Sequence, residues 1–327
     1  MKAVYVENNK VTLGELTQPV ATAGEVLVKI YAAGLNRRDL YTPNRLAPDA
    51  APLILGSDAA GVIEAVGEGV EQFQVGDEVI INPSLRWFKQ SDVPPADFEI
   101  LSLPDNGTFA EYVAISAEQV EPKPKHLSFV EAATIGIAPL TGYRALVTKG
   151  DVKPGDTVFI PGAGSGVATF MIQLAKHLGA RVIVSSRSDY KRQEALKIGA
   201  DLAISNDDVW QDVLKDEVID VVIDSVGRAT FNRSLGVLKR GGTLVTFGAT
   251  TEDVADFDLR TFFYAQQTIK GTTLGCRSEF REMLALLEQD AIRPVIDKTF
   301  SLEAYEVALN YLEKNEQFGK LVFEVSH

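Results

Sequence analysis

The chain has 327 residues, 46% of them hydrophobic and 24% charged, which is the composition of a globular protein with room for two domains. Its formal charge of −13 at pH 7 argues against a nucleic-acid or anionic-membrane partner, since either would be repelled over most of the surface. A single cysteine, Cys276, excludes an intrachain disulfide and any Cys-rich zinc lobe, and neither Met1-Lys2-Ala-Val-Tyr-Val nor any later run reads as a signal core or a membrane span. The cytosol is the expected compartment.

Up to about residue 125 the chain is a series of short apolar runs bounded by Gly, Pro and acids: Val26-Leu-Val-Lys-Ile-Tyr-Ala-Ala, Gly61-Val-Ile-Glu-Ala-Val, Asp77-Glu-Val-Ile-Ile and Tyr112-Val-Ala-Ile. They predict an antiparallel β-rich domain, with the stretch from Asn82 to Asn106 as a loop. From Ser128 the pattern turns helical, through Phe129-Val-Glu-Ala-Ala-Thr-Ile and Leu140-Thr-Gly-Tyr-Arg-Ala-Leu. Strands then alternate with helices: after the first two described below come Leu202 to Ile204, Val218 to Ile223, Gly242 to Phe247 and Gln267 to Leu274. That alternation predicts a doubly wound parallel sheet. A helix at Glu279 to Glu288 and a last helix and strand between Tyr305 and Val325 return to the first domain. The expected division is therefore 1–127 with 275–327 for the β-rich domain and 128–274 for the α/β domain.

The most informative stretch runs from Asp156 to Arg187. The β-branched run Val158, Phe159, Ile160 ends at Gly162, and glycines recur at 164 and 166 around Ala163 and Ser165. Glycines there let the backbone turn sharply and approach a pyrophosphate, and the following helix aims its free N–H groups at that anion. Val167, Phe170, Met171, Leu174 and Ala175 fall at helical spacing and Gly179 closes the helix, so the turn does open one. The strand from Val182 to Ser185 completes a βαβ unit. Gly162, Ala163, Gly164, Ser165, Gly166 and Val167 are the expected cradle, and the competing reading is a tight strand-to-helix connection alone. Rossmann sites that prefer NAD place an acid at the end of the second strand, but here the chain reads Ser185-Ser186-Arg187-Ser188, with Lys191 shortly after. Hydroxyls and a guanidinium suit a 2′-phosphate, so NADPH is the expected cofactor. The competing reading makes Arg187 and Lys191 solvated charges at a helix start.

These motifs resemble the medium-chain dehydrogenase/reductase superfamily over essentially the whole chain. The resemblance is carried by Gly56-Ser-Asp-Ala-Ala-Gly-Val-Ile-Glu-Ala-Val-Gly, Val75-Gly-Asp-Glu-Val, Gly107-Thr-Phe-Ala-Glu-Tyr, Pro139-Leu-Thr-Gly-Tyr, the glycine turn, Asp224-Ser-Val-Gly and Gly319-Lys-Leu-Val-Phe. It implies a GroES-like domain and a Rossmann domain with the active site in the cleft between them, and a homodimer formed through the last Rossmann strand. It also implies cofactor contacts at Thr141, Phe247 and Gly248, and at Asp224 and Ser225, whose competing reading is the cap of the next helix. Zinc-dependent members carry two cysteines and a histidine where this chain has Asn36, Ile137 and Ser57, and Asp58 takes a glutamate's place. Amide, alkyl and hydroxyl groups are poor zinc ligands, and His126, His177 and His327 form no cluster in sequence, so no zinc is expected. Asp39 and Asp58 read as structural or hydrogen-bonding carboxylates, the competing reading being a weak site for a hard ion.

The resemblance is therefore to the zinc-free quinone oxidoreductase branch, in which an asparagine and a tyrosine matching Asn36 and Tyr41 face the nicotinamide. Without a Lewis acid to stabilise an alkoxide, such a site favours a quinone or an α,β-unsaturated carbonyl over an alcohol. Loops such as Arg45 to Pro52 and the Trp87 region are expected to build the substrate pocket. The alternatives are an alcohol dehydrogenase or carbonyl reductase, and a non-catalytic NADPH-binding protein.

Overall fold

The structure is a computed structural model that describes residues 1–47 and 50–326; Pro48, Asp49 and His327 lie outside the described residues. Among the described residues the chain forms two compact units, Met1–Leu140 with the segment from Gly275, and Thr141–Leu274.

In the first unit a seven-stranded sheet is built around the long strand Glu25–Gly34, which pairs antiparallel with Asp58–Val66, Tyr112–Ser116 and the C-terminal strand Lys320–Glu324. Alternating apolar residues point inward from these strands, so Val26, Val28, Ile30, Ile63, Val113 and Phe323 share one core. A three-stranded sheet, Lys10–Glu15, Lys2–Glu7 and Leu53–Ile54, packs its Val4 and Val6 into that core. Sequence reasoning gave no strand to Ile296–Ser301, yet it pairs parallel with Lys320–Glu324 at the sheet edge. Asn82 to Asn106, expected as a loop, carries a two-stranded ribbon in which Ser84 pairs with Ile100. Within it Trp87 is buried, donates its indole N–H to Ser91 Oγ at 2.9 Å, and meets Phe98 edge-on at 5.3 Å.

The second unit holds a six-stranded sheet in the order Leu202–Ser205, Arg181–Ser186, Thr157–Pro161, Ile219–Asp224, Leu238–Thr246, Thr268–Gly271. All five pairings are parallel. The first strand in sequence, Thr157–Pro161, lies at the centre, and the connections run outward from it in both directions. The order reverses between Thr157–Pro161 and Ile219–Asp224, and the crevice at the carboxyl ends of strands at such a point is where ligands of open α/β sheets bind. Gly162 and Ser225 follow those two strand ends directly.

Candidate active site

The glycine turn leaves the buried strand Thr157–Pro161 and enters the helix Gly166–His177. Gly162 and Gly164 have φ of 84° and 115°, a region only glycine enters without strain. Ser165 caps the helix, its hydroxyl accepting from Ala168 N at 3.1 Å. The Ser185 carbonyl takes the N–H groups of both Gly162 and Ala163, at 3.0 and 2.9 Å, so these two residues shape the turn. The N–H groups of Gly166 and Val167 open the helix, where the first turn has no intrahelical acceptors, and they point to an anion at its positive end. A pyrophosphate fits such a donor set.

At the end of the second strand, Ser185 is buried and its hydroxyl lacks a partner among the described residues. Ser186 is buried too, its hydroxyl accepting from Ser188 N at 3.2 Å. Arg187 is exposed and without an ion pair or hydrogen bond among the described residues, leaving its guanidinium available. Lys191 runs its stem over the turn: a Cβ on Gly164 would lie 2.6 Å from Lys191 Cδ. Arg192, which sequence reasoning passed over, donates to the Ser186 carbonyl at 2.7 Å and pairs with Asp189 at 3.1 Å, so the nearest acid is already engaged. Asp224 is fully occupied. Its carboxylate accepts from Val226 N, Gly227 N, Thr230 Oγ1 and Ser234 Oγ at 2.7 to 3.3 Å, which makes it the clasp of the next turn. Ser225 is half-buried beside it, Thr141 is buried in the helix Ile137–Tyr143, and Phe247 and Gly248 follow the strand Leu238–Thr246.

In the first unit Asn36 ends the tight turn after Glu25–Gly34, and Arg37–Leu40 forms a short 3-10 helix that delivers Tyr41. Tyr41 is 51% exposed. Asn36 is buried, and its amide is used at both ends: Nδ2 donates to Asp58 Oδ2 at 2.9 Å, and Oδ1 accepts from Lys320 Nζ at 2.6 Å. A lysine can only donate and a carboxylate only accept, so the amide orientation is fixed by its neighbours. Lys320 also donates to the Leu35 carbonyl at 2.7 Å and lies 3.5 Å from Asp58. Asp58 Oδ1 takes the Ile137 N–H at 2.8 Å, and a Cβ at Gly136 would lie 2.3 Å from that oxygen, so glycine is what admits the carboxylate. Ser57 accepts from Arg38 Nη1 at 2.5 Å and donates to the Leu101 carbonyl at 2.7 Å. Burial drives the Asp58 carboxyl up and the Lys320 ammonium down, while their mutual attraction works the other way on each. Burial pushes Asp39 up to about 7, against the Asn36 N–H that its Oδ2 accepts at 2.7 Å.

This donor set does not fit a zinc ion. Asn36 and Asp58 already hold an ammonium between them, Ser57 is spent on Arg38 and Leu101, and Ile137 offers only its backbone. Among the described residues no group of three or more His, Cys, Asp or Glu side chains could hold a metal ion. His126 bonds the Ile292 carbonyl at 3.1 Å, far along the chain from Asn36. Sequence reasoning missed Lys320, although it sits in the Gly319-Lys-Leu-Val-Phe block.

A parallel sheet reversing beside a glycine-lined helix N-terminus is the architecture of dinucleotide-binding α/β domains, and here it is joined in one chain to a β-rich unit. Residues 22–125 match the alcohol dehydrogenase GroES-like domain and residues 166–289 the zinc-binding dehydrogenase model. The crotonyl-CoA reductase of Streptomyces collinus is 30% identical, the match covering 94% of this chain and 80% of that protein. A solved structure of an NAD-dependent alcohol dehydrogenase superposes with a TM-score of 0.93 at 33% identity, covering 100% of both chains. The structure of the 2-octenoyl-CoA carboxylase reductase CinF in complex with NADP and 2-octenoyl-CoA gives 0.88 at 25% identity, covering 99% of this chain and 87% of that one. The chain belongs to the medium-chain dehydrogenase/reductase superfamily.

Proposed function

We propose that the protein is an NADPH-dependent reductase of quinones or α,β-unsaturated carbonyls that works without zinc. The observation that carries this reading is Lys320 held between Asn36 and Asp58, where a divalent cation would meet a resident positive charge. The crotonyl-CoA reductase and the enoyl-CoA complex among its relatives support it. Bound NADPH supplies a hydride to the electrophilic carbon. The N–H groups of residues 164–167 hold its pyrophosphate, Ser185, Ser186 and Arg187 its 2′-phosphate with Lys191 above the turn, and Thr141, Ser225, Phe247 and Gly248 border it, while Asp224 keeps the turn in place. Asn36, locked by Lys320 and Asp58, orients the acceptor's surroundings. The Tyr41 hydroxyl bonds the acceptor's carbonyl oxygen, and it or water supplies the proton that completes the enol or hydroquinone. A neutral donor contributes about 1 kcal/mol, and roughly 3 when preorganised at developing charge, which suffices for an acceptor already electrophilic but not for an alcohol.

We further propose that two copies associate through the free edge of Thr268–Gly271, and that the protein is cytosolic, where a buried unpaired Cys276 stays reduced. No helix among the described residues is long and apolar enough to cross a membrane.

The test is turnover against a panel of quinones, enones and primary alcohols, with elemental analysis of the same preparation. Quinone or enone reduction should exceed alcohol oxidation by on the order of a hundredfold, as expected when no Lewis acid assists the alkoxide. Tyr41→Phe should lower kcat more than NADPH affinity. One zinc per chain, removed by chelator together with activity, returns the assignment to alcohol dehydrogenase. Tight NADPH binding with no turnover of any acceptor favours the non-catalytic alternative.

A further inference from the structure

We propose that Lys320 is a positioning residue for the reduction: its ammonium fills a cage of oxygen atoms as a bound cation would, and through that cage it holds the Asn36 amide in one orientation. The reaction meant is the proposed quinone or enone reduction, and the part of Asn36 in it rests on that reading. Strand register builds the cage. Val322 lies opposite Gly34 in the antiparallel pair of Lys320–Glu324 with Glu25–Gly34, and the Leu35 N–H bonds the Leu321 carbonyl at 2.9 Å, so Lys320 comes level with Asn36 where the chain leaves the sheet. On its other side the Lys320 N–H bonds the Val295 carbonyl at 2.8 Å. Gly319 makes this approach at φ of 104°, and a Cβ there would lie 2.3 Å from that carbonyl oxygen. The backbone of the lysine is therefore fixed before its side chain is placed.

The ammonium has three N–H donors and meets three oxygens: the Leu35 carbonyl at 2.7 Å, Asn36 Oδ1 at 2.6 Å and Asp58 Oδ2 at 3.5 Å. Turning the Asn36 amide over would press its NH2 group against the ammonium and its carbonyl against the Asp58 carboxylate. Two repulsive contacts would then replace two charge-assisted bonds. The Asn36 backbone is held independently, its N–H on Asp39 Oδ2 at 2.7 Å and its carbonyl on the Asp39 N–H at 2.9 Å, so loss of the ammonium falls on the side chain and not on the turn. Held as it is, the amide keeps a second N–H that reaches the Gly34 carbonyl only at 3.4 Å, a long bond that a better acceptor can replace. Turned over, it would offer a carbonyl lone pair in place of that hydrogen.

The experiment is a double-mutant cycle on the full chain, with kcat for quinone or enone reduction and NADPH affinity measured for wild type, Lys320→Ala, Asn36→Ala and the double variant. Lys320→Ala should lower kcat about 10- to 100-fold, the range for residues that orient a functional group from behind, and leave NADPH affinity nearly unchanged. In the Asn36→Ala background the same substitution should cost kcat nothing further, because a lysine that acts through Asn36 has nothing left to hold. Refolding Lys320→Ala in n-propylammonium, the fragment deleted, should restore both kcat and the denaturant midpoint, and neutral propanol should restore neither. Should Lys320→Ala fail to fold, Lys320→Met carries the cycle, since its thioether fills the volume and donates nothing. Equal losses in the two backgrounds, or rescue by propanol as good as by the amine, would overturn the positioning role. Unaltered kcat in Lys320→Ala beside an active wild type removes that role alone, whereas a wild type that turns over no quinone or enone removes the reductase reading and the role with it.

Discussion

Lys320 stands at the centre of the buried cluster, and its removal has a calculable sign. Breaking a buried pair by deleting one partner leaves an uncompensated charge and typically costs 3–5 kcal/mol, so Lys320→Met should destabilise the protein by about 3 kcal/mol near pH 8. Without the ammonium, burial raises the Asp58 carboxyl further. A carboxyl raised above its unfolded value binds protons in the folded state, so the variant's deficit should shrink as pH falls toward 5. Denaturant unfolding of both proteins at the two pH values checks this, and a deficit independent of pH would place the cost in packing instead. Asn36 and Asp58 were both legible from the sequence as substitutes in a metal-ligand pattern. Lys320 was not, because its contact with Asn36 spans 284 residues and exists only through the antiparallel register of Val322 on Gly34.

The βαβ element was read closely from its sequence. Apolar β-branched strands, a turn that needs positive φ and a capped amphipathic helix are all local signals, and the strand Arg181–Ser186 and helix Gly166–His177 fall where the periodicity put them. What the pattern did not disclose is which N–H groups the turn spends on itself, since the Ser185 carbonyl that takes those of Gly162 and Ala163 comes from the neighbouring strand. Ile296–Ser301 escaped for another reason: Ile-Asp-Lys-Thr-Phe-Ser alternates weakly, and as an edge strand it leaves most of its residues partly exposed. Two substitutions separate the roles of the cofactor element. Gly164→Ala forces a side chain to φ of 115° and against Lys191, so it should weaken NADPH and NADH alike, by about 5- to 150-fold for strain of about 1–3 kcal/mol. Arg187→Ala should weaken NADPH by about 1.5 to 3 kcal/mol, the scale of a charge-assisted contact, and leave NADH nearly unchanged. Fluorescence titration with both cofactors distinguishes them, and an equal loss from Arg187→Ala would remove the 2′-phosphate assignment.

For the whole molecule, the parallel sheet was implied by the alternation of elements, but the order of its six strands and its free edge emerge only in the structure. Thr268–Gly271 pairs on one side with Leu238–Thr246 and has no strand on the other among the described residues. The preceding helix Leu259–Ala265 leaves Leu259, Phe263 and Tyr264 each more than half exposed, an apolar patch that a monomer has little reason to carry. An edge strand can pair with its own copy about a twofold axis, where each contact is made twice, which is the arrangement proposed above. Charge opposes this pairing: two copies at −13 each bring −26 together, so association must rest on apolar burial and edge hydrogen bonds. Raising salt screens the repulsion without weakening apolar contacts, so the dimer should strengthen from low salt to about 0.15 M. Phe263→Asp with Tyr264→Asp adds charge at the patch four times per dimer and should give a monomer by sedimentation velocity, with NADPH binding intact because neither residue belongs to the proposed cofactor cradle. A variant that remains dimeric would move the interface to another face and leave this edge protected only by its shortness.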